Sequence, residues 1–278
     1  MKLSSLHISN FKVDGGAMFG VIPKALWGRR FASDENNMIN IALRSLIIDT
    51  GDRVILVDNG YGDKQDERFF RHVYLNGGDG LAAGLSKAGY SAEDVTDVLL
   101  THLHADHCGG GVKWNSDRTG YELTFPEADY LVSREQWDWA LAGNIREAGS
   151  YPEENLLPMR ESGKLKFVGE GDLFPGISLR MVNGHTPGQL IPVVDYNGTI
   201  IVFAADLIPT AAHIPLIWNM SYDLDQLATI REKESLLREA LDNGYVLFLE
   251  HDLNIECCTL KDTPGGIRED RIISLQDL

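Results

Sequence analysis

Short apolar runs recur along the chain, each cut off by glycine, proline or acidic residues, and their two-residue alternation or unbroken apolarity reads as strand. The runs at 3–9, 42–49, 54–58, 95–101, 128–133, 164–168, 177–182, 190–196, 200–205 and 245–250 are the predicted strands. Helical spacing between them predicts helices over 80–88, 134–142, 153–161 and 223–243. In the last of these, Leu227, Ile230, Leu237 and Leu241 mark one face as core, and Gly244 supplies the stop. Asp49-Thr50-Gly51-Asp52 between two β-branched runs predicts a hairpin, because Gly51 accepts a positive φ cheaply. Strands alternating with helices along the whole length predict an α/β fold.

Several apolar runs switch abruptly to histidine or aspartate, and that is where chemistry concentrates. The run 95–100 gives way to Thr101-His102-Leu103-His104-Ala105-Asp106-His107. Three imidazoles and a carboxylate at one strand-to-loop junction suit borderline-soft divalent cations, zinc above all. If the strand period of two persists, His102 and His104 project from one side, and the turning chain aims Asp106 and His107 elsewhere. One short segment can then feed two adjacent metal sites. The glycines at 109–111 remove side chains where the backbone must bend beside the cluster. Read alone, the segment also fits a solvated histidine-rich loop or a structural site for one zinc.

Further candidates lie at other strand ends. His185 sits in Asn183-Gly184-His185-Thr186-Pro187-Gly188, a sharp turn presenting one imidazole. Asp206 ends the apolar run 200–205, where a buried carboxylate needs a cation or donors, although a helix cap fits it as well. His251 follows the run 245–250 and also fits a satisfied strand-end histidine. Asp58 closes the run 54–57 and reads equally as a turn carboxylate.

These motifs, in this order, resemble the metallo-β-lactamase superfamily of metallohydrolases nearly end to end. The resemblance implies an αβ/βα four-layer sandwich with metals at one edge between two sheets. It implies one divalent ion held by His102, His104 and His185, a second by Asp106, His107 and His251, and Asp206 bridging them, with Asp58 orienting a ligand histidine. Zinc is favoured, and manganese, cobalt or iron fit the same donors. The implied mechanism uses water activated between the ions, with Asp106 and Asp206 able to accept its hydrogen bonds.

A narrower resemblance appears at 14–24 and at 205–213. Those stretches look like the YtnP-type quorum-quenching N-acyl-homoserine lactonases, near the methyl parathion hydrolase branch. Lactone opening is the implied activity, with other hydrolytic substrates (phosphotriesters, thioesters, β-lactams) as the alternative and a non-catalytic metal-loaded binding or sensor protein as the reading from another class. One departure is specific: the best-known homoserine-lactone hydrolases carry a tyrosine three residues beyond the bridging aspartate, and here that position is Pro209. His213 is the expected catalytic stand-in, and Tyr222 a second one. Met18, Phe19, Trp27 and Trp218 offer apolar surface that predicts either a wall for an acyl chain or a homodimer contact.

Composition bounds the rest. With 278 residues, 44% of them hydrophobic, and neither repeat nor low-complexity linker, one domain over 1–278 is expected. The net charge of −16 opposes polyanions, so nucleic acid is not expected as a partner; a small-molecule substrate with an apolar acyl chain is what the resemblance implies. The N-terminus lacks a signal-peptide core, and no apolar stretch reaches the ~20 residues that cross a bilayer, so no membrane partner and a cytoplasmic location are expected. Cys108, Cys257 and Cys258 read as free thiols.

Overall fold

The computed structural model describes residues 1–278, which fold into two compact units. The first comprises Met1–Ser9 and Leu43–Gly169, the second Asn10–Ala42 and Glu170–Leu278. The chain passes between them after Ser9, after Ala42 and after Gly169. The first two crossings fall inside long strands, β1 (Lys2–Asp14) and β2 (Met38–Asp49).

In the first unit, β1 and β2 are followed by β3 (Val54–Val57), β4 (Asp97–Leu99), a small hairpin of β5 (Val112–Trp114) and β6 (Tyr121–Leu123), then β7 (Asp129–Ser133) and β8 (Leu165–Val168). The main sheet has the order β1-β2-β3-β4-β7-β8. The expected hairpin joins β2 to β3 in antiparallel register, Asp49 opposite Val54, and Gly51 sits at φ 92° in its turn. From β3 to β8 the strands are parallel. A parallel strand is covered on both faces, which is why its residues form unbroken apolar runs: Ile55, Leu56, Val57, Val98 and Leu99 are all fully buried. Parallel pairing also brings the chain out at one edge. Val57 pairs with Leu99, so Asp58 and the segment after Leu100 emerge side by side.

The second unit contains β9 (Gly171–Phe174), β10 (Ile177–Val182), β11 (Gln189–Tyr196), β12 (Thr199–Phe203), β13 (Val246–Phe248), β14 (Cys257–Lys261) and β15 (Arg268–Ile273), in the order β15-β14-β13-β12-β11-β10-β9. All neighbours are antiparallel except β12 and β13, whose parallel pairing uses the helix Gln226–Asn243 as its crossover. As a result β10, β12 and β13 all point the same way. His185, Asp206 and His251 each lie three positions beyond the ends of those strands at Val182, Phe203 and Phe248.

The helices expected over 80–88, 134–142 and 153–161 form as Leu81–Ala88, Arg134–Ala142 and Glu153–Glu161. The short helices Gly15–Phe19, Lys24–Trp27 and Glu67–Val73, and strands β5, β6, β9, β14 and β15, were not anticipated. Several are edge or hairpin strands whose exposed polar residues mask the alternation, as in Arg-Glu-Asp-Arg of β15. All three cysteines are free and buried, and no helix is long and apolar enough to cross a membrane.

The apolar stripe expected on the last helix needs correction. Leu227 is 67% exposed, and the buried face is Thr229, Lys233, Leu236, Leu237 and Ala240. A lysine takes the core position because its aliphatic stem packs while its ammonium finds oxygens. Lys233 Nζ donates to Pro215 O (3.2 Å), Trp218 O (2.9 Å) and Asn219 Oδ1 (3.0 Å). Burial pulls this ammonium from 10.5 down to about 7, against the opposing pull of the Asp223 carboxylate. Between those two values the unfolded chain keeps a proton that the folded chain has lost, so this group makes stability rise with pH. The unfolding free energy of the wild type minus that of Lys233→Met is expected to grow by about 2 kcal/mol from pH 7 to pH 9. A difference independent of pH in denaturant titrations would contradict this.

Candidate metal centre

In the first unit the donors emerge where β3 and β4 end. Asp58 is fully buried and held at φ 52°, a left-handed conformation uncommon for a non-glycine residue. From there its carboxylate accepts from Thr101 N (2.8 Å), Thr101 Oγ1 (2.6 Å) and His107 Nδ1 (3.0 Å). Because the Thr101 hydroxyl donates to Asp58, its oxygen is left to accept from His102 Nδ1, 3.1 Å away. The far nitrogen of His104, Nε2, lies 3.0 Å from Glu147 Oε1. With both outer nitrogens acting as donors, His102 Nε2 and His104 Nδ1 present lone pairs to each other across 3.0 Å. Facing lone pairs repel unless a cation lies between them. The adjacent Asp106 carboxylate approaches His107 Nε2 at 3.6 Å and is the more exposed of the two, 18% against 0%.

In the second unit Asp206 sits at the end of β12, after Ala205 at φ 43°. It sets one carboxylate oxygen against each of two imidazoles: Oδ2 lies 3.1 Å from His185 Nε2 and Oδ1 lies 3.0 Å from His251 Nε2. The outer nitrogens are again held by acceptors, His185 Nδ1 by Asp223 Oδ1 (3.0 Å) and His251 Nδ1 by Ala42 O (2.8 Å). Burial lowers the proton affinity of His185, but the Asp206 and Asp223 carboxylates outweigh it and push the pKa up to about 10. A pocket that holds a proton this firmly favours positive charge, and a divalent cation meets the same demand. The donor set of each unit therefore fits metal: imidazoles oriented from behind by oxygen acceptors, with carboxylates beside them.

The other expected site residues have different surroundings. His213 is buried, with Nδ1 2.8 Å from Thr210 Oγ1, Nε2 2.9 Å from Met18 O, and its ring stacked on Phe19 at 4.9 Å. Burial drives its pKa down to about 3, so the ring is neutral. A neutral ring with both nitrogens engaged joins the 18–19 and 210–213 segments, surroundings that fit a structural histidine better than the catalytic stand-in expected there. Met18, Phe19 and Trp27 are likewise core: Phe19 stacks on Trp27 at 5.4 Å and meets Trp218 edge-on at 5.8 Å. Of the aromatic residues expected to meet substrate, Trp218 is half-buried and Tyr222 is 41% exposed.

Sequence reasoning missed Thr101, Glu147 and Asp223 as partners of the histidines. Thr101 was legible as the first polar residue after a buried strand. Glu147 and Asp223 lie in polar stretches with no local signal, 43 and 38 residues from the imidazoles they hold.

Comparison with known proteins places the fold in a family. The profile of the metallo-beta-lactamase superfamily matches residues 44–251. An N-acyl homoserine lactonase of Bacillus cereus is 25% identical over 178 residues, covering 60% of this chain and 64% of that protein, so the chain spans less than two thirds of that relative's length. A probable metallo-hydrolase of Mycobacterium tuberculosis is 34% identical over 252 residues, with 78% of this chain and 77% of the other covered. The crystal structure of a probable metal-dependent hydrolase from Staphylococcus aureus matches with a TM-score of 0.89 at 30% identity, over 98% of this chain and 96% of that one. AidC, a dizinc quorum-quenching lactonase solved with a product, N-hexanoyl-L-homoserine, shares the fold at 22% identity, with a TM-score of 0.78 over 98% and 95% of the two chains. The α/β fold implied by the strand-end motifs is thus the one observed, and the chain belongs to the metallo-beta-lactamase superfamily.

Proposed function

We propose that this chain is a metal-dependent hydrolase that opens lactone rings, N-acyl-homoserine lactones first among them. In this reading His102, His104 and His185 would hold one divalent ion, Asp106, His107 and His251 would hold a second, and Asp206 would serve both. The observation that carries the reading is the Asp206 carboxylate, which turns one oxygen to His185 and the other to His251. In this reading residues 1–278 form one functional domain. Zinc is the preferred metal for this mixture of imidazole and carboxylate.

Divalent cations bound there supply Lewis acidity and make water acidic enough to attack at neutral pH. The chain's own residues do the rest. Asp58, Asp223 and the Ala42 carbonyl fix the rings of His107, His185 and His251, so the ligand nitrogens are in place before substrate arrives. Asp106 and Asp206 sit beside those nitrogens and can accept a proton at a carboxylate oxygen as water attacks. Half-buried Trp218 and exposed Tyr222 meet the acyl chain, and Phe19 supports Trp218 edge-on with Trp27 stacked on Phe19 in turn. Tyr222 also takes over the polarising role that Pro209 cannot perform. The names of the lactonase relatives and the product-bound neighbour support the substrate class.

Elemental analysis combined with a substrate panel tests this: acyl lactones of graded chain length, an aryl phosphotriester, a thioester and a β-lactam. Two divalent ions per chain, and kcat/KM highest on lactones and rising with chain length, are expected. Two ions with a preference for another ester class would overturn the lactone assignment. Two ions with no turnover on any substrate would make the protein a metal-loaded sensor.

A further inference from the structure

The segment Gly143–Ser150 is exposed or half-exposed apart from one residue, and the residue it sends inward is a glutamate. Ile145 on the same segment is fully exposed, whereas Glu147 is only 5% exposed. An arrangement that leaves isoleucine in water and buries a carboxylate costs free energy, so something must hold the carboxylate in place. Four donors do. Trp139 Nε1 and Asn144 Nδ2 donate to Oε2, each at 2.8 Å, and Tyr151 Oη and His104 Nε2 lie 3.0 Å from Oε1.

We infer that Glu147 is a positioning residue that keeps the proton of His104 on Nε2, so that Nδ1 is the atom this histidine offers to a divalent cation. The inference rests on the reading of His104 as a metal ligand. A neutral imidazole carries its proton on either nitrogen, and the partner of the outer nitrogen decides which. Indole and amide N–H groups can only donate, so Oε2 of Glu147 is an acceptor, and the Tyr151 hydroxyl donates to Oε1. At Oε1 it accepts from His104, and Nδ1 then faces His102 Nε2 with a lone pair.

The local chain is built to keep this carboxylate in register with His104. Gly143 at φ 64° ends the helix Arg134–Ala142, and the Asn144 side chain then accepts from the backbone N–H groups of Arg146 (3.0 Å) and Glu147 (2.9 Å). Ser150 N donates to Glu147 O at 2.7 Å, and Ala105 N, next to the histidine, donates to Ser150 O at 2.9 Å. The Tyr151 ring lies tilted against the His104 ring with centroids 5.1 Å apart. The turn is thus anchored to the backbone immediately after the ring it orients.

The test uses the full chain and Zn²⁺. Imidazole ¹⁵N shifts of metal-free wild type, assigned against His104→Gln, are expected to show His104 protonated at Nε2. Glu147→Ala is expected to give mixed tautomers and to weaken one of two zinc equivalents by roughly 10- to 100-fold in chelator competition. Glu147→Gln, whose amide oxygen can still accept from the ring, is expected to recover most of that affinity. A wild-type proton on Nδ1, or a Glu147→Ala chain that binds both zinc ions as wild type does, would overturn the inference. If Glu147→Ala does not fold, the wild-type tautomer decides. Wild type that binds no zinc at all would instead refute the metal centre, a result distinct from either tautomer outcome.

Discussion

Replacing Asp206 by alanine is expected to lower kcat/KM by more than about 10³-fold, beyond the 10- to 100-fold typical of a residue that only orients a ligand. The reason is geometric. One carboxylate faces two imidazoles at 3.1 and 3.0 Å, so its loss removes the shared anion of both proposed ion sites in one step. It also strips His185 of one of the two carboxylates that make its surroundings favour positive charge. Metal content should fall below two per chain in the same preparation. Asp206→Asn separates charge from shape: it keeps the size of the side chain and should retain the fold while losing metal. Full turnover in an Asp206→Ala protein with depleted metal would refute the proposed centre.

Asp58→Ala should give the largest loss of stability. The carboxylate is fully buried and accepts three hydrogen bonds, from Thr101 N, Thr101 Oγ1 and His107 Nδ1. Each buried donor left without a partner costs about 1–3 kcal/mol, so an overall loss of about 3 kcal/mol or more is expected. Alanine brings no relief at φ 52°, because aspartate tolerates the left-handed region better than alanine does. Calorimetry of the metal-free chain should show a lower Tm. Zinc affinity should fall as well, because His107 loses the partner that fixes its tautomer. An unchanged Tm together with unchanged zinc binding would mean that Asp58 is an ordinary turn residue.

The two substitutions also show how unevenly the site could be read from the chain. Asp58 and Asp206 were visible because each ends an apolar run, and a carboxylate placed there announces itself locally. Glu147 does comparable work from a turn with no such contrast. Lys233 reads on paper as a surface residue, yet it occupies the core because three oxygens from residues 215–219 surround its ammonium. Met18, Phe19 and Trp27 look like a substrate wall in a turn-rich segment and prove to be buried, since His213 arrives from 195 residues away to bond to Met18 O.

The order of the longer helices and of the strands that carry the site, the hairpin at Gly51 and the histidines and aspartates at strand ends were decided by the sequence alone. These features arise from near neighbours: the alternation of a strand, the turn preference of glycine and the sharp step from buried apolar to polar. Which nitrogen each histidine turns inward, what holds its other nitrogen, and which aromatic and charged residues are buried were decided only by the tertiary structure. Those outcomes depend on groups brought together from 38, 43 or 195 residues apart, and a hydrogen bond across such a span leaves no periodic trace in the chain that makes it.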